Sequence, residues 1–365
     1  MLFAVSPFWS IQAQVAPSTT APTLDAAKVV PVVSPTKMPG KAPYKKGIHD
    51  GMANELQPLS KRANYGRMLE PKDMVMHGVG QSGDAFRNYA AAAGPDLQPS
   101  VYMTYHNLST IGDGTRLRKD LQRIADLPYP AIPQLGLPMT FDGQPEKHYE
   151  HLVAAGQHDA DIQTFVREIK AFNRPIYLRL GYEFNGFWNG YEPQSYIAAY
   201  RRVADAIRAS GLKNVALVWC FAVDSDQDNY MQFYPGDNYV DWWSIDVFSA
   251  WQFERPELWN FLDSAKARKY PVMIGECTPR RMSVSKGDSS WRLWFVPYFN
   301  MVRLYPNLKG TSYINWNWQG TSWPDWGDAR IEAAPEDLRK KYLKELSQPW
   351  YLHSTRRHRK FLLGQ

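Results

Sequence analysis

The chain has 365 residues with a formal net charge of +6, 44% hydrophobic and 21% charged residues, so it can bury a sizeable core and is not globally disordered. Two cysteines exclude a disulfide scaffold and a Cys-rich metal site, and no apolar run reaches transmembrane length. The small basic excess sits largely at the C-terminus, which argues against a nucleic-acid partner, whereas 14 Trp and 21 Tyr exceed what core packing needs and suit a surface that binds flat rings.

Residues 1–47 form the first segment. The opening MLFAVSPFWSIQAQVAPS is apolar and then rich in small residues, like the end of a secretory signal, although Pro7 interrupts it and a basic start is missing. Prolines among Ser, Thr, Ala and Lys then mark a linker. A secreted or envelope-associated protein is the resulting expectation. At the other end, residues 347–365 carry Arg356, Arg357, His358, Arg359 and Lys360 and read as a basic, solvated tail.

Residues 48–346 alternate short apolar runs with amphipathic stretches. Strands are predicted over 74–80, 100–106, 131–137, 175–183, 214–221, 239–248, 271–276 and 311–318, apolar along their length as strands buried on both faces are. In the stretch 161–172 the set Ile162, Phe165, Val166 and Ile169 follows helix spacing, with Asp159 or Asp161 placed to cap it. A second helix is predicted over 193–210, opening on Pro193 and closing before Gly211. Eight such units predict a (β/α)8 TIM barrel; a doubly wound sheet lacks its Gly-rich phosphate loop here.

Active sites of such barrels lie at the C-terminal strand ends. Run four ends on Glu183 and run seven on Glu276. Two carboxylates across a barrel mouth are what glycosidic bond cleavage needs, one to protonate the leaving oxygen and one to attack or support the anomeric carbon. Their proximity raises one pKa and keeps that group protonated near neutrality. The alternative is a structural network with Arg179, Arg280 or Arg281.

The stretch PIYLRLGYEFNGFWNG (175–190), with Arg179 four residues before Glu183 and Trp188 five after it, resembles the acid/base region of glycoside hydrolase family 26, in clan A. The similarity extends over roughly residues 70–325, through Gly156-Gln157-His158-Asp159, Tyr200-Arg201, residues 214–219 and Tyr234-Pro235-Gly236-Asp237. It implies β-mannanase-like endo-cleavage of a polysaccharide with retention, Glu183 as acid/base and Glu276 as nucleophile, and no cofactor or metal. By the same resemblance Arg179 and Asp246 organise the pocket and Trp188 and Trp316 stack on sugar rings; Tyr182 and Asn185, beside Glu183 in sequence, are expected to line the substrate. Three positions depart from the family pattern: Tyr182 replaces a His, Phe248 a Tyr whose hydroxyl meets the nucleophile, and Asn317 a common Arg. Mannan, xylan and bacterial or marine exopolysaccharides all fit.

Other residues add weaker signals. His106, with His77 and Gln81, is expected to meet sugar hydroxyls, and Trp251, Trp323 and Trp326 to stack at subsites. His148, His151 and His158 lack strict metal-ligand spacing. Cys220 and Cys277 are expected as free thiols in the pocket wall. A monomer is expected. A barrel that binds carbohydrate without cleaving it, and a transglycosylase of polysaccharide biosynthesis, are the rival readings.

Overall fold

The computed structural model describes residue 48 and residues 61–141, 143–223 and 229–365. The signal-like segment and the Pro-rich linker lie outside them. Eight strands run parallel: β1 (Val75–Gly80), β2 (Val101–Tyr105), β3 (Ile132–Leu137), β4 (Ile176–Leu180), β5 (Val215–Ala222), β6 (Trp242–Val247), β7 (Val272–Cys277) and β8 (Leu308–Ile314). Each pairs with the next, and β8 pairs back on β1, which closes the (β/α)8 barrel that the alternation predicts.

Helices cover the outside: α1 (Gly83–Ala93), α2 (Thr115–Ala125), α3 (Glu150–Ala154), α4 (Asp159–Phe172), α5 (Pro193–Ala209) and α6 (Pro256–Ala267). After β7, α7 (Asp288–Ser290) runs through a π turn at Trp291–Phe295 into α8 (Val296–Leu304), and α9 (Glu336–Leu346) follows β8. The α4 stripe Ile162, Phe165, Val166 and Ile169 is buried as its spacing predicts. Its cap is not as expected. The helix begins after His158, whose Nδ1 lies 2.7 Å from Asp161, while Asp159 pairs with Arg202.

Period-two alternation assigns the strand side chains. Met76, Val101, Ile132, Tyr177, Ala216, Val218, Trp242 and Met273 point inward and form one cluster that fills the barrel. Their neighbours Tyr102, Leu135, Leu178, Leu217, Trp219, Trp243 and Ile274 point outward into the layer shared with the helices.

The C-terminal segment is not a free tail. Strand β9 (Tyr351–Leu352) pairs with Val75 and Met76 of β1, and α10 (Arg359–Leu363) buries Leu362 among the residues that fill the barrel. His353 Nδ1 lies 3.1 Å from His77 Nδ1, and His77 Nε2 lies 2.7 Å from the Tyr89 hydroxyl. His77 therefore serves this junction and not a sugar. The basic side chains of Arg356, Arg357, Arg359 and Lys360 stay exposed. No helix among the described residues is long and apolar enough to cross a membrane.

Candidate active site

The inward parity that places Tyr177 in the barrel places Arg179 two residues further up β4, fully buried. Its Nη1 donates to Glu276 Oε1 at 2.6 Å, and its Nη2 to Asp246 Oδ2 and, at 3.2 Å, to Cys220 Sγ. One guanidinium thus joins the ends of β4, β5, β6 and β7. Burial alone would lower its pKa, but Asp246, Cys220 and Glu276 hold it well above the ordinary value.

Glu276 reaches this guanidinium because β7 is irregular. Met273 points inward, so strict alternation would turn Gly275 inward and Glu276 out among the helices. The register against β6 slips here: Ile245 opposes Ile274, and Asp246 opposes Glu276. The extra residue is a bulge, which re-aims Glu276 into the mouth and sends Cys277 outward. Gly275 is required at that spot. A Cβ on it would stand 2.5 Å from Ser244 Oγ, 2.7 Å from Arg179 Nε and 2.9 Å from Asp246 Oδ1.

Glu183 does not end β4 itself. The strand stops at Leu180, and Glu183 sits in the turn beyond it in the left-handed region, at φ 51°. For a side chain other than glycine this costs roughly 1–3 kcal/mol. Asn189 holds the turn by donating to the carbonyls of Tyr182 and Glu183 at 3.1 and 3.0 Å. Trp188 Nε1 donates to Glu183 Oε2 at 2.7 Å. Burial, and then the charges of Asp246 and Glu276, raise the Glu183 pKa well above the carboxylate range, against the pull of Trp188 and Arg179. Burial also pushes Asp246 up, to about 7, with Arg179 opposing and Glu276 adding to the rise. One cation faces three acids in a mouth largely withdrawn from water. Glu183, the acid without an ion-pair bond to that cation, keeps its proton most readily.

The remaining expected residues divide. Tyr182 lays its ring over Arg179 at 4.8 Å, and Trp316 packs at the mouth in a cluster with Phe248, Trp318 and Trp326. Trp251 and Trp323 are each 45% exposed, as platforms for a ligand need to be. Two assignments are corrected. Asn185 gives its amide to β5, exchanging hydrogen bonds of 2.9 and 2.8 Å with the Ala222 backbone, so it anchors the turn that carries Glu183 instead of meeting sugar. His106 is buried and turns outward to Asp120 of α2 at 3.3 Å, away from the mouth. Burial lowers its pKa to about 4. The inward residue at that strand end is Tyr105. Both cysteines are free, but only Cys220 lines the barrel interior; Cys277 faces out, its thiol 3.4 Å from the Ser312 carbonyl.

His148, Glu150 and His151 bring one potential metal-ligand atom each within 4.8 Å of one another; His158 stands apart from them. Glu150 is already engaged. Besides His148, it accepts from Ser195 Oγ at 2.8 Å and from the Glu192 N–H at 3.1 Å, which braces the segment after β3 against the start of α5.

The family model for glycosyl hydrolase family 26 matches residues 132–279, the span from β3 through β7 that holds both glutamates, Arg179 and Asp246. Over that span the chain is similar to family 26, and it is a glycoside hydrolase. Among curated relatives, this glycosidase is 28% identical to a β-1,3-xylanase from Vibrio sp over 79% of its own length and 68% of the relative's. It is 30% identical to endoglucanase H of Acetivibrio thermocellus over 50% of its length, which is only 21% of that enzyme. A solved β-mannanase from Bacteroides ovatus shares its barrel fold, with a TM-score of 0.54 at 18% identity, covering 77% of the glycosidase and 90% of the mannanase.

Proposed function

We propose that this glycosidase is a retaining endo-β-glycanase working by double displacement on Glu276 and Glu183. Glu276, ionised beside Arg179, attacks the anomeric carbon, while Glu183 gives its proton to the leaving oxygen. Glu183, then ionised and steadied by the Trp188 N–H, takes a proton from a water whose oxygen attacks the anomeric carbon and breaks its bond to Glu276, which releases the sugar with its original configuration. The observation that carries this reading is the unequal share of Arg179: Glu276 and Asp246 bind it directly, and Glu183 does not. That difference supports Glu276 as nucleophile and Glu183 as acid.

The residues around the mouth suit a glycan chain. Trp316, Trp188, Trp251 and the 80% exposed Phe187 supply aromatic surface along it. Each ring stacked on a sugar is worth roughly 1–3 kcal/mol, by analogy with base stacking. The alignment to the β-1,3-xylanase spans most of the chain, which favours β-1,3-xylan over the β-mannan first expected. A polymer of this kind is met outside the cytoplasm, in keeping with the secretory reading of the N-terminus.

A panel of β-1,3-xylan, β-1,4-xylan, β-mannan and β-1,3- and β-1,4-glucans tests the substrate. The expected result is oligosaccharides of several lengths from β-1,3-xylan, with the first-formed reducing ends in the β configuration by proton NMR. Release of monosaccharide alone, or α reducing ends, would refute endo action or retention respectively.

A further inference from the structure

The end of β2 presents Tyr105, and not His106, to the mouth. Val101 and Met103 of β2 point into the barrel, so Tyr105 is the next inward residue and stands at the mouth. Its partner on β3 is Gly136. A Cβ on Gly136 would lie 2.6 Å from Tyr105 Cδ1 and 3.1 Å from Tyr182 Cε1, so the glycine leaves space for two rings to converge above it. They meet edge to face at 5.9 Å, with Tyr182 in turn over Arg179. This packing fixes the Tyr105 ring in place one ring away from the Arg179 guanidinium that holds Glu276. The hydroxyl lies 3.2 Å from Met103 Sδ, a weak acceptor, and close enough to Glu276 for that carboxylate to help raise the phenol's pKa.

We propose that Tyr105 is a positioning residue for the nucleophile: its phenol donates to the Glu276 carboxylate while Arg179 holds Oε1, so that the carboxylate is gripped from β2 and β4 at once. The proposal rests on Glu276 being the nucleophile. Phe248, in the same cluster at the mouth, has no donor to offer. Burial and the Glu276 charge hold the phenol well above its ordinary pKa, so it stays a donor throughout the working range. A carboxylate with two fixed donors presents its attacking oxygen in one orientation, the condition on which rate depends most steeply.

The test is Tyr105→Phe, which keeps the ring and its packing and removes the hydroxyl. The probe is a 2,4-dinitrophenyl 2-deoxy-2-fluoro-β-glycoside of the sugar released in the polysaccharide panel, whose activated leaving group needs no acid. Wild-type labelling should map to Glu276 by peptide mass spectrometry. In the variant the labelling rate constant should fall roughly 10- to 100-fold, the loss expected for one hydrogen bond to a charged group, with unchanged saturation and unchanged thermal midpoint. The groups facing Glu276 are Arg179 from β4, Asp246 from β6, Glu183 after β4 and Tyr105 from β2, and the substitution alters Tyr105 alone. An unchanged labelling rate would overturn the proposal, as would a lowered midpoint with unchanged rate, which marks a packing role. Label on a residue other than Glu276, or no label in wild type, would instead defeat the nucleophile assignment beneath it.

Discussion

Trp188 donates its indole N–H to Glu183 Oε2 at 2.7 Å, which ties the ring proposed to stack on sugar to the carboxyl proposed as acid/base. The two roles separate by substitution. Trp188→Phe keeps an aromatic face and removes the donor that favours ionised Glu183. Its kcat is expected to fall roughly tenfold, in line with one hydrogen bond to a charged group, and its alkaline limb to move to higher pH. Trp188→Ala should add a rise in KM. Equal KM in the two variants would exclude stacking at this position.

Glu183 also marks the pH dependence of stability. Its folded pKa lies well above the ordinary value of 4.5, so the native protein retains a proton that the unfolded chain gives up. The associated stability is complete below about pH 4.5 and is lost as pH rises toward the folded value. Glu183→Gln carries no such proton. Its thermal midpoint should match wild type near pH 4 and exceed it by a growing margin from pH 5 to 8. A margin constant with pH would contradict the raised pKa.

The bulge at Gly275 offers a direct handle on the nucleophile. Gly275→Ala drives a methyl group against Ser244, Arg179 and Asp246 at 2.5–2.9 Å. Overpacking of this kind costs about 1–3 kcal/mol, read as a lower denaturation midpoint. Displacing Arg179 and Glu276 by about 1 Å should lower kcat about 100-fold. A variant with normal kcat would show that the contact relaxes elsewhere.

Much of this fold was legible because strands buried on both faces read as plain apolar runs, and each was followed by a helix signal or a loop. Both acids were legible as polar residues that close such runs. The aim of each side chain was not. Glu276 points into the mouth through a bulge that strict alternation forbids, and the sequence offers only Gly275 as a hint. At β2 the reverse error arises: His106 is the more familiar sugar ligand, but a step of one residue puts it on the outer face and leaves Tyr105 inside. Asn185 looked like a ligand because it follows the acid, yet the left-handed turn at Glu183 rotates it onto β5. The C-terminal segment was misread because its charges hide the short apolar pair that forms β9.

The barrel should also stand without its first 46 residues. Ile48 is buried in the core, and its carbonyl accepts from Asn300 Nδ2 at 2.9 Å, so a chain beginning at Gly47 keeps that contact. We propose that residues 48–346, with the docked C-terminal segment, form the catalytic unit. The shortened chain should melt and turn over substrate as the full one does; failure to fold would assign the missing residues a structural part.

The division of labour between Glu183 and Glu276 is tested most directly by azide rescue of Glu183→Ala on an aryl glycoside with an activated leaving group. Such a substrate needs no acid for its first step, so the covalent intermediate on Glu276 should form and accumulate. A small anion needs no general base, so added azide should restore turnover and yield a β-glycosyl azide, while Glu276→Ala should give no β-azide at any concentration. An α-glycosyl azide from Glu183→Ala, or a β-azide from Glu276→Ala, would contradict the assignment.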